Sequence, residues 1–158
     1  MFGILTKGDV IRGLEIAKDD SQFRRIRDDI EFVVNSVYND KLEYTRESID
    51  QKEQQFRQWH DEIIKALDSV TNFIKKPRIK TKITNNRDFV NLREECERCL
   101  AEIWMGLTNL LGMAKRRVGN WKYKYDYTAA ENYKIRANQN HAKLSEKITR
   151  LIDLVSKI

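Results

Sequence analysis

The clearest helical periodicity in this sequence lies in residues 49–73, which read IDQKEQQFRQWHDEIIKALDSVTNF. Apolar side chains recur there every seven residues, and a second set follows three residues after the first. The two sets comprise Ile49, Phe56, Trp59, Ile63, Ala66, Val70 and Phe73. These are the a and d positions of a heptad, which bury one seam of a helix against a partner helix. The pattern therefore predicts a long amphipathic helix with coiled-coil-like packing.

The same helix extends towards the N-terminus, because apolar residues step by three and four from Phe23 to Val37 and no breaker occurs before Pro77. We predict a long or bent helix over residues 21–76. A straight helix of that length would measure roughly 80 Å, which a chain of 158 residues cannot cover evenly. Either the helix breaks near Asn39 and Asp40, or another chain covers the overhang.

Two further helices are predicted over residues 88–118 and 128–158, each with an apolar stripe at helical spacing. Their equal lengths indicate an antiparallel hairpin. Gly106 and Gly112 lie in or near the stripe of the first helix, where a missing side chain lets a neighbouring helix approach closely.

Residues 1–20 predict a short amphipathic helix that docks on the bundle, preceded by an apolar tip at residues 2–5. Asp20 and Ser21 supply the N-cap of the helix that follows. Thr128 and Glu131 have the spacing of a capping box and mark the start of the last helix.

These patterns predict one all-α domain, residues 1–158, built as an up-down bundle of three to four long helices with a short N-terminal helix. The chain has six glycines and one proline, too few for the frequent turns of a β-sandwich or a doubly wound sheet. It shows no secretory leader and no apolar run long enough to span a bilayer. We expect a cytoplasmic protein and a homo-oligomer.

The formal net charge of +6 is unevenly distributed along the chain. Residues 1–74 contain 11 basic and 15 acidic side chains, a net charge of −4, whereas residues 75–158 contain 19 basic and 9 acidic ones, a net charge of +10. Such an asymmetry indicates an anionic partner, or attraction between the two halves within one chain or between copies.

Residues 75–87, here called the first basic segment, contain six cations and no anion. The cations are Lys75, Lys76, Arg78, Lys80, Lys82 and Arg87. Pro77 and the β-branched residues predict an extended loop or a short ribbon.

Residues 115–127, here called the second basic segment, alternate cations with aromatic rings. Its candidate binding residues are Lys115, Arg116, Arg117, Trp121, Lys122, Tyr123, Lys124 and Tyr125. Cations neutralise phosphates and release counterions, and aromatic faces stack on bases. The combination is typical of a sequence-tolerant nucleic-acid surface.

The first hypothesis is therefore a non-enzymatic module that self-associates and contacts the backbone of RNA or DNA through both basic segments. In an up-down bundle the two segments lie at opposite ends. A strip of cations on the last helix would then have to connect them: Lys134, Arg136, Lys143, Lys147 and Arg150. The alternative is a structural or adaptor protein that binds an acidic protein partner, since cations near helix C-termini also interact favourably with the helix dipole.

Motifs for catalysis, cofactors and metals are sparse. The chain has no glycine-rich phosphate loop, no nucleophile elbow and no pair of Glu-x-x-His motifs for a di-iron centre. Cys96 and Cys99 would need His60 and His141 to complete a zinc site, but both cysteines lie on the apolar stripe. We expect them to be core residues, and we expect neither a cofactor nor a metal.

Two alternative functions rest on local sequence. The segment from Arg136 to His141 resembles the Arg-x(4–6)-His signature of HEPN-type ribonucleases, which are all-helical and act as dimers. That resemblance implies that arginine and histidine meet at a scissile phosphate. A more distant alternative is a membrane-active bundle with residues 1–18 as the inserting element.

Overall fold

The computed structural model describes residues 5–39, 44–84 and 86–158, and every regular element in these ranges is a helix. In chain order they are α1 (Lys7–Ala17), α2 (Asp20–Tyr38), α3 (Arg46–Ile74), α4 (Pro77–Lys80), α5 (Asn86–Gly119) and α6 (Tyr127–Ser156). The all-α prediction is confirmed. None of the described helices is long and apolar enough to cross a bilayer.

The region predicted as helix 21–76 contains two helices, so a straight helix is wrong. α2 ends at Tyr38, where the N–H of Asn39 bonds back to the carbonyls of Asn35 and Val37. α3 begins after Thr45, whose side chain caps the helix. The break starts at Asn39, as one alternative predicted, and Asp40 lies outside the described residues. Because the helix breaks, no 80 Å overhang requires a second chain.

α5 and α6 form the predicted antiparallel hairpin. An ion pair joins Glu102 to Arg136, and a second joins Glu95 to Lys147 at 3.1 Å. Residue numbers therefore rise along α5 as they fall along α6. This hairpin forms the most extensive helix–helix contact among the described residues.

Gly106 marks the closest approach in this hairpin. A Cβ atom at Gly106 would lie 2.7 Å from the carbonyl oxygen of Tyr133, so any larger residue would push the two helices apart. At Gly112 no atom lies within 4 Å of such a Cβ. The prediction of a close helix approach is correct at Gly106 and wrong at Gly112.

The other helices align with this hairpin along their whole length. α3 runs antiparallel to α5, since Asp50 near its start pairs with Lys115 at 3.0 Å and Asp68 near its end pairs with Arg93 at 2.7 Å. α1 and α2 follow one another in a single direction, antiparallel to α6. Lys7 and Lys18 bond within the C-terminal half of α6, whereas Arg27 of α2 bonds to Asn138, nearer to its start.

The predicted heptad seam of α3 forms the centre of the core, with all seven of its a and d residues buried. Full burial of one large apolar side chain stabilises the fold by roughly 1.5–3 kcal/mol. A central aromatic cluster connects α2, α3, α5 and α6 through ring contacts. Its members are Phe23, Phe56, Trp59, Trp104 and His141.

Two helix starts differ from their predictions by one or two residues. Asp19, rather than Asp20, caps α2 through the N–H of Ser21. Asp126, rather than Thr128, caps α6 through the N–H of Ala129 at 3.0 Å. A carboxylate at an N-cap accepts a backbone N–H and also interacts favourably with the helix dipole, which explains why Asp126 rather than a threonine caps α6. Of the apolar tip at residues 2–5, only Leu5 lies within the described residues.

Candidate nucleic-acid interface

The two basic segments lie at opposite ends of the helices. In the first segment, the ammonium of Lys76 donates to the backbone carbonyl of Leu5, just before α1. In the second, Tyr125 packs edge-on against Tyr38 at the end of α2, with ring centroids 4.9 Å apart. α5 connects the two ends and has 34 residues, which corresponds to about 50 Å.

The first basic segment is mostly turn and short helix, so the prediction of an extended loop or ribbon is wrong. Lys75 follows the last residue of α3, and Pro77 occupies the first turn of α4. Proline fits that position because the N–H it lacks would have no helical partner there. Compact turns hold the segment close to the helix ends and direct its long side chains outwards.

Five of the six cations in the first basic segment are exposed. Lys76 is the exception, because it is half-buried, bonds to Leu5 and lies 5.8 Å from the ring centre of Phe73. The exposed cations are Lys75, Arg78, Lys80, Lys82 and Arg87. None of these five forms an ion pair with a residue that the structure describes. The segment therefore concentrates positive charge at one end of the molecule.

Lys115 in the second basic segment is used within the fold. Its ammonium lies 3.0 Å from a carboxylate oxygen of Asp50 and also bonds to Glu53. Both acidic residues belong to the first turns of α3, and the Lys115 side chain is only 24% exposed. This ion-pair network fixes the register of α3 against α5 and leaves little of the charge for a partner.

Arg116 and Arg117 fold the second basic segment back on itself. Arg116 donates to the hydroxyl of Tyr123 at 3.0 Å, and its guanidinium lies 5.8 Å from the centre of that ring. Arg117 donates to the backbone carbonyls of Trp121 and Tyr123 and lies over Tyr38. The forked donor geometry of arginine suits such pairs of carbonyl acceptors.

The accessible part of the second basic segment is smaller than its sequence indicates. Tyr123 and Tyr125 are half-buried by contacts within the chain. Trp121 is 72% exposed, with the ammonium of Lys122 5.9 Å from its ring centre. Lys122 and Lys124 are exposed. The predicted site residues in this segment that a partner can reach are therefore Trp121, Lys122, Lys124 and Arg116, which is exposed although it bonds to Tyr123.

The strip of cations along α6 does not form a continuous basic track, because four of its five members pair with carboxylates. The pairs are Lys134 with Glu131, Arg136 with Glu102, Lys147 with Glu95, and Arg150 with Glu146. Lys143 forms no ion pair with a described residue. The two basic segments thus remain separate positive surfaces.

Arg136 and His141 face different helices, so the structure does not bring the ribonuclease pair together within one chain. Arg136 bonds to Glu102 on α5. The His141 ring is only 2% exposed and stacks on Phe23 of α2, with ring centroids 3.9 Å apart. Burial lowers the pKa of His141 to about 4, so the imidazole is neutral at pH 7. This environment is that of a core residue rather than a proton-transfer group open to an RNA backbone.

Cys96 and Cys99 are buried on α5, and burial raises the pKa of Cys96 to about 12. A thiol with a raised pKa is a poor metal ligand, because zinc binds the thiolate. His60 lies beside Trp104, and His141 beside Phe23. Within the described ranges, no three histidine, cysteine or acidic side chains are grouped as a metal site would require.

A feature that sequence reasoning missed lies beside the second basic segment. An open cleft of about 600 Å³ separates the end of α2 from the start of α6. Its lining comprises polar and aromatic residues, three cations and one carboxylate: Asn35, Tyr38, Asn39, Arg117, Lys124, Tyr125, Tyr127, Glu131 and Lys134. The only signal for it in the sequence is the spacing of Asn35 and Asn39, one helical turn apart. Residues 124–127 join them only through the tertiary fold.

This chain has no match among protein-family models, curated proteins or solved structures. The features that bear on its function are the exposed cations of the first basic segment and the cleft beside the second.

Proposed function

We propose that this protein is a non-enzymatic binding module that contacts the sugar-phosphate backbone of nucleic acid, with the first basic segment as its principal contact. One observation supports this proposal most strongly: five exposed cations within residues 75–87 lack a carboxylate partner in the described structure. Each cation that approaches a phosphate releases a condensed counterion, which provides the driving force for binding.

This segment is distinguished by the clustering of its unpaired cations at one end of the molecule. On α6, four of the five cations of the strip are neutralised by carboxylates on the same helix or on α5. In the second basic segment, Lys115 is neutralised by α3. Uncompensated charge at one end raises the local positive potential and attracts polyanions over a distance of about one Debye length.

The second basic segment supplies a smaller contact at the other end of the molecule. Lys122 and Lys124 are available for phosphates, and the exposed ring of Trp121 is available for a base. At 3.4 Å per nucleotide, the length of α5 corresponds to about 15 nucleotides. Nucleic acids longer than this can engage both ends and gain affinity through effective concentration.

The test compares two variants of equal net charge by fluorescence anisotropy, with a labelled oligonucleotide of about 20 nucleotides. The first variant combines Lys75→Gln, Arg78→Gln, Lys80→Gln and Lys82→Gln. The control combines Arg136→Gln, Lys147→Gln and Arg150→Gln on α6 with Arg24→Gln on α2, whose guanidinium pairs with Asp20. We expect the first variant to bind at least about 100-fold more weakly at 0.1 M salt, with its salt slope reduced by roughly 3 to 4. The control should retain its affinity within about threefold, because its cations are already paired.

Three outcomes would contradict the proposal. Equal weakening in both variants would indicate a response to net charge alone. No binding by the wild-type protein at low salt would exclude a nucleic-acid partner. Tighter binding to polyglutamate than to the oligonucleotide at equal salt would instead favour the acidic protein partner. Self-association stays a prediction, and light scattering with and without the oligonucleotide tests it.

A further inference from the structure

The cleft between α2 and α6 has the size and position of a ligand site. Its volume of about 600 Å³ lies within the range of roughly 300–1,000 Å³ found for small-molecule sites. It opens to solvent beside Lys124, at the end of the molecule where the second basic segment lies.

One wall of the cleft is an aromatic array in a fixed arrangement. Tyr125 lies edge-on to Tyr38 at 4.9 Å and edge-on to Tyr127 at 4.5 Å. Tyr38 is held in turn by its hydroxyl, which donates to the carbonyl of Met113. Tyr127 is the outermost ring and is 78% exposed. An ordered ring with an exposed face can stack on a base without first losing much conformational freedom.

The α2 side of the cleft carries two side-chain amides next to Tyr38. Asn35 and Asn39 lie one helical turn apart at the end of α2, and both are exposed. Neither side chain forms a hydrogen bond within the described part of the chain. A primary amide offers both donors and an acceptor, which matches the edge of a nucleobase.

We infer that this cleft binds one unstacked base of a single-stranded nucleic acid. Tyr127 stacks on the face of the base, Asn35 and Asn39 bond to its edge, and Lys124 contacts the adjacent phosphate. This inference rests on the proposed function and narrows its ligand to single strands, because a base in a duplex is stacked and paired and cannot enter the cleft.

The test uses two ligands of identical sequence, a labelled 20-nucleotide single strand and its duplex, at 0.1 M salt. Tyr127→Ala should bind the single strand about tenfold more weakly and the duplex within twofold of wild type, since base–aromatic stacking is lost only with the single strand. Tyr127→Phe should retain wild-type binding. The matched control is Phe32→Ala, which removes another exposed ring outside the cleft and should change neither ligand's affinity.

The role of the two amides is tested with the double variant Asn35→Ala with Asn39→Ala. The control is the double variant Asn72→Ala with Asn109→Ala, which removes two exposed amides elsewhere on the molecule. The cleft pair should weaken single-strand binding several-fold while the salt slope stays unchanged, because the lost contacts carry no charge. A loss that appears equally in the control pair would overturn the role of these amides.

The outcomes separate the cleft from the first basic segment. If Tyr127→Ala weakens single-strand binding no more than Phe32→Ala, or weakens duplex binding equally, the inference is wrong. The proposed function then stands if the variant of the first basic segment still loses binding. If that variant binds like wild type and Tyr127→Ala does not, the first basic segment is not the contact surface and the cleft is supported.

Discussion

The two basic segments are both rich in lysine and arginine, but these side chains have different roles in the fold. In the first, five of six cations are exposed and unpaired within the described structure. In the second, Lys115, Arg116 and Arg117 bond to acidic, aromatic or carbonyl groups of the same chain. The difference shows that a cluster of cations in a sequence does not by itself measure the charge available to a partner.

The cations of the two segments differ in their pairing because different groups lie next to each segment in the folded chain. The second segment packs against the start of α3, where Asp50 and Glu53 supply carboxylates, and against the end of α2, where Tyr38 supplies a ring. The first segment meets the start of α1, where Lys76 donates to the backbone carbonyl of Leu5. Four predictions test this contrast.

The largest expected effect is a loss of folding stability in acid. It sets the pH range over which the two basic segments can be compared in a folded protein. The folded-state pKa of His141 is lowered by burial to about 4, below its usual value of 6.5. The folded state therefore favours neutral histidine. The associated stability is fully present above pH 6.5 and is lost as the pH falls towards 4, by about 3 kcal/mol.

Urea unfolding of wild type and His141→Leu between pH 7.5 and pH 4 measures this loss. His141→Leu should flatten the pH dependence over that interval, whereas His60→Leu should retain it. An unchanged pH dependence in His141→Leu would show that other groups cause the acid sensitivity.

The second prediction contrasts one cation from each segment. Lys115→Gln should lower the free energy of unfolding by about 1–2 kcal/mol, because it leaves two carboxylates near each other at a partly buried site. Lys80→Gln removes the same charge from an exposed position and should change stability by less than about 0.5 kcal/mol. Equal effects in urea unfolding would remove the distinction between the segments.

The third prediction concerns the internal order of the second segment. Arg117→Ala removes hydrogen bonds to the carbonyls of Trp121 and Tyr123 and should cost about 1 kcal/mol. Hydrogen exchange of the amides at residues 121–124 should become faster. Lys124→Ala, in the same loop, should leave exchange unchanged, and a similar acceleration in both variants would contradict the assigned role of Arg117.

The smallest expected effect is on nucleic-acid binding by the second basic segment. Lys122→Gln with Lys124→Gln should reduce the salt slope for nucleic-acid binding by roughly 2, about half the reduction expected for the first segment. Stability should not change, because both side chains are exposed. A reduction as large as that of the first segment would show that both ends contribute equally.

Much of the fold follows from periodicity alone. The a and d positions of residues 49–73 are all buried, and the hairpin of α5 and α6 has the predicted direction. The break after Tyr38 was predicted only as one of two alternatives. Its position depends on capping by Asn39 and Thr45, and such local hydrogen bonds leave a weaker pattern than a buried stripe.

The candidate site was less predictable than the fold. The clusters of cations were visible in the sequence, but their pairing depends on carboxylates such as Asp50 and Glu102, which are distant along the chain. The cleft was missed because Asn35 and Tyr127 come together only when α2 packs beside α6. No local pattern connects residues that are separated by three helices.

The helical class, the buried seams and the location of the positive charge can be read from the sequence, because they follow from the spacing and chemistry of neighbouring residues. Which charges remain available to a partner, and where a cleft forms, depend on how the helices pack. Ion pairs and clefts are made by residues from different helices, and their geometry exists only after packing has fixed the distances between those helices.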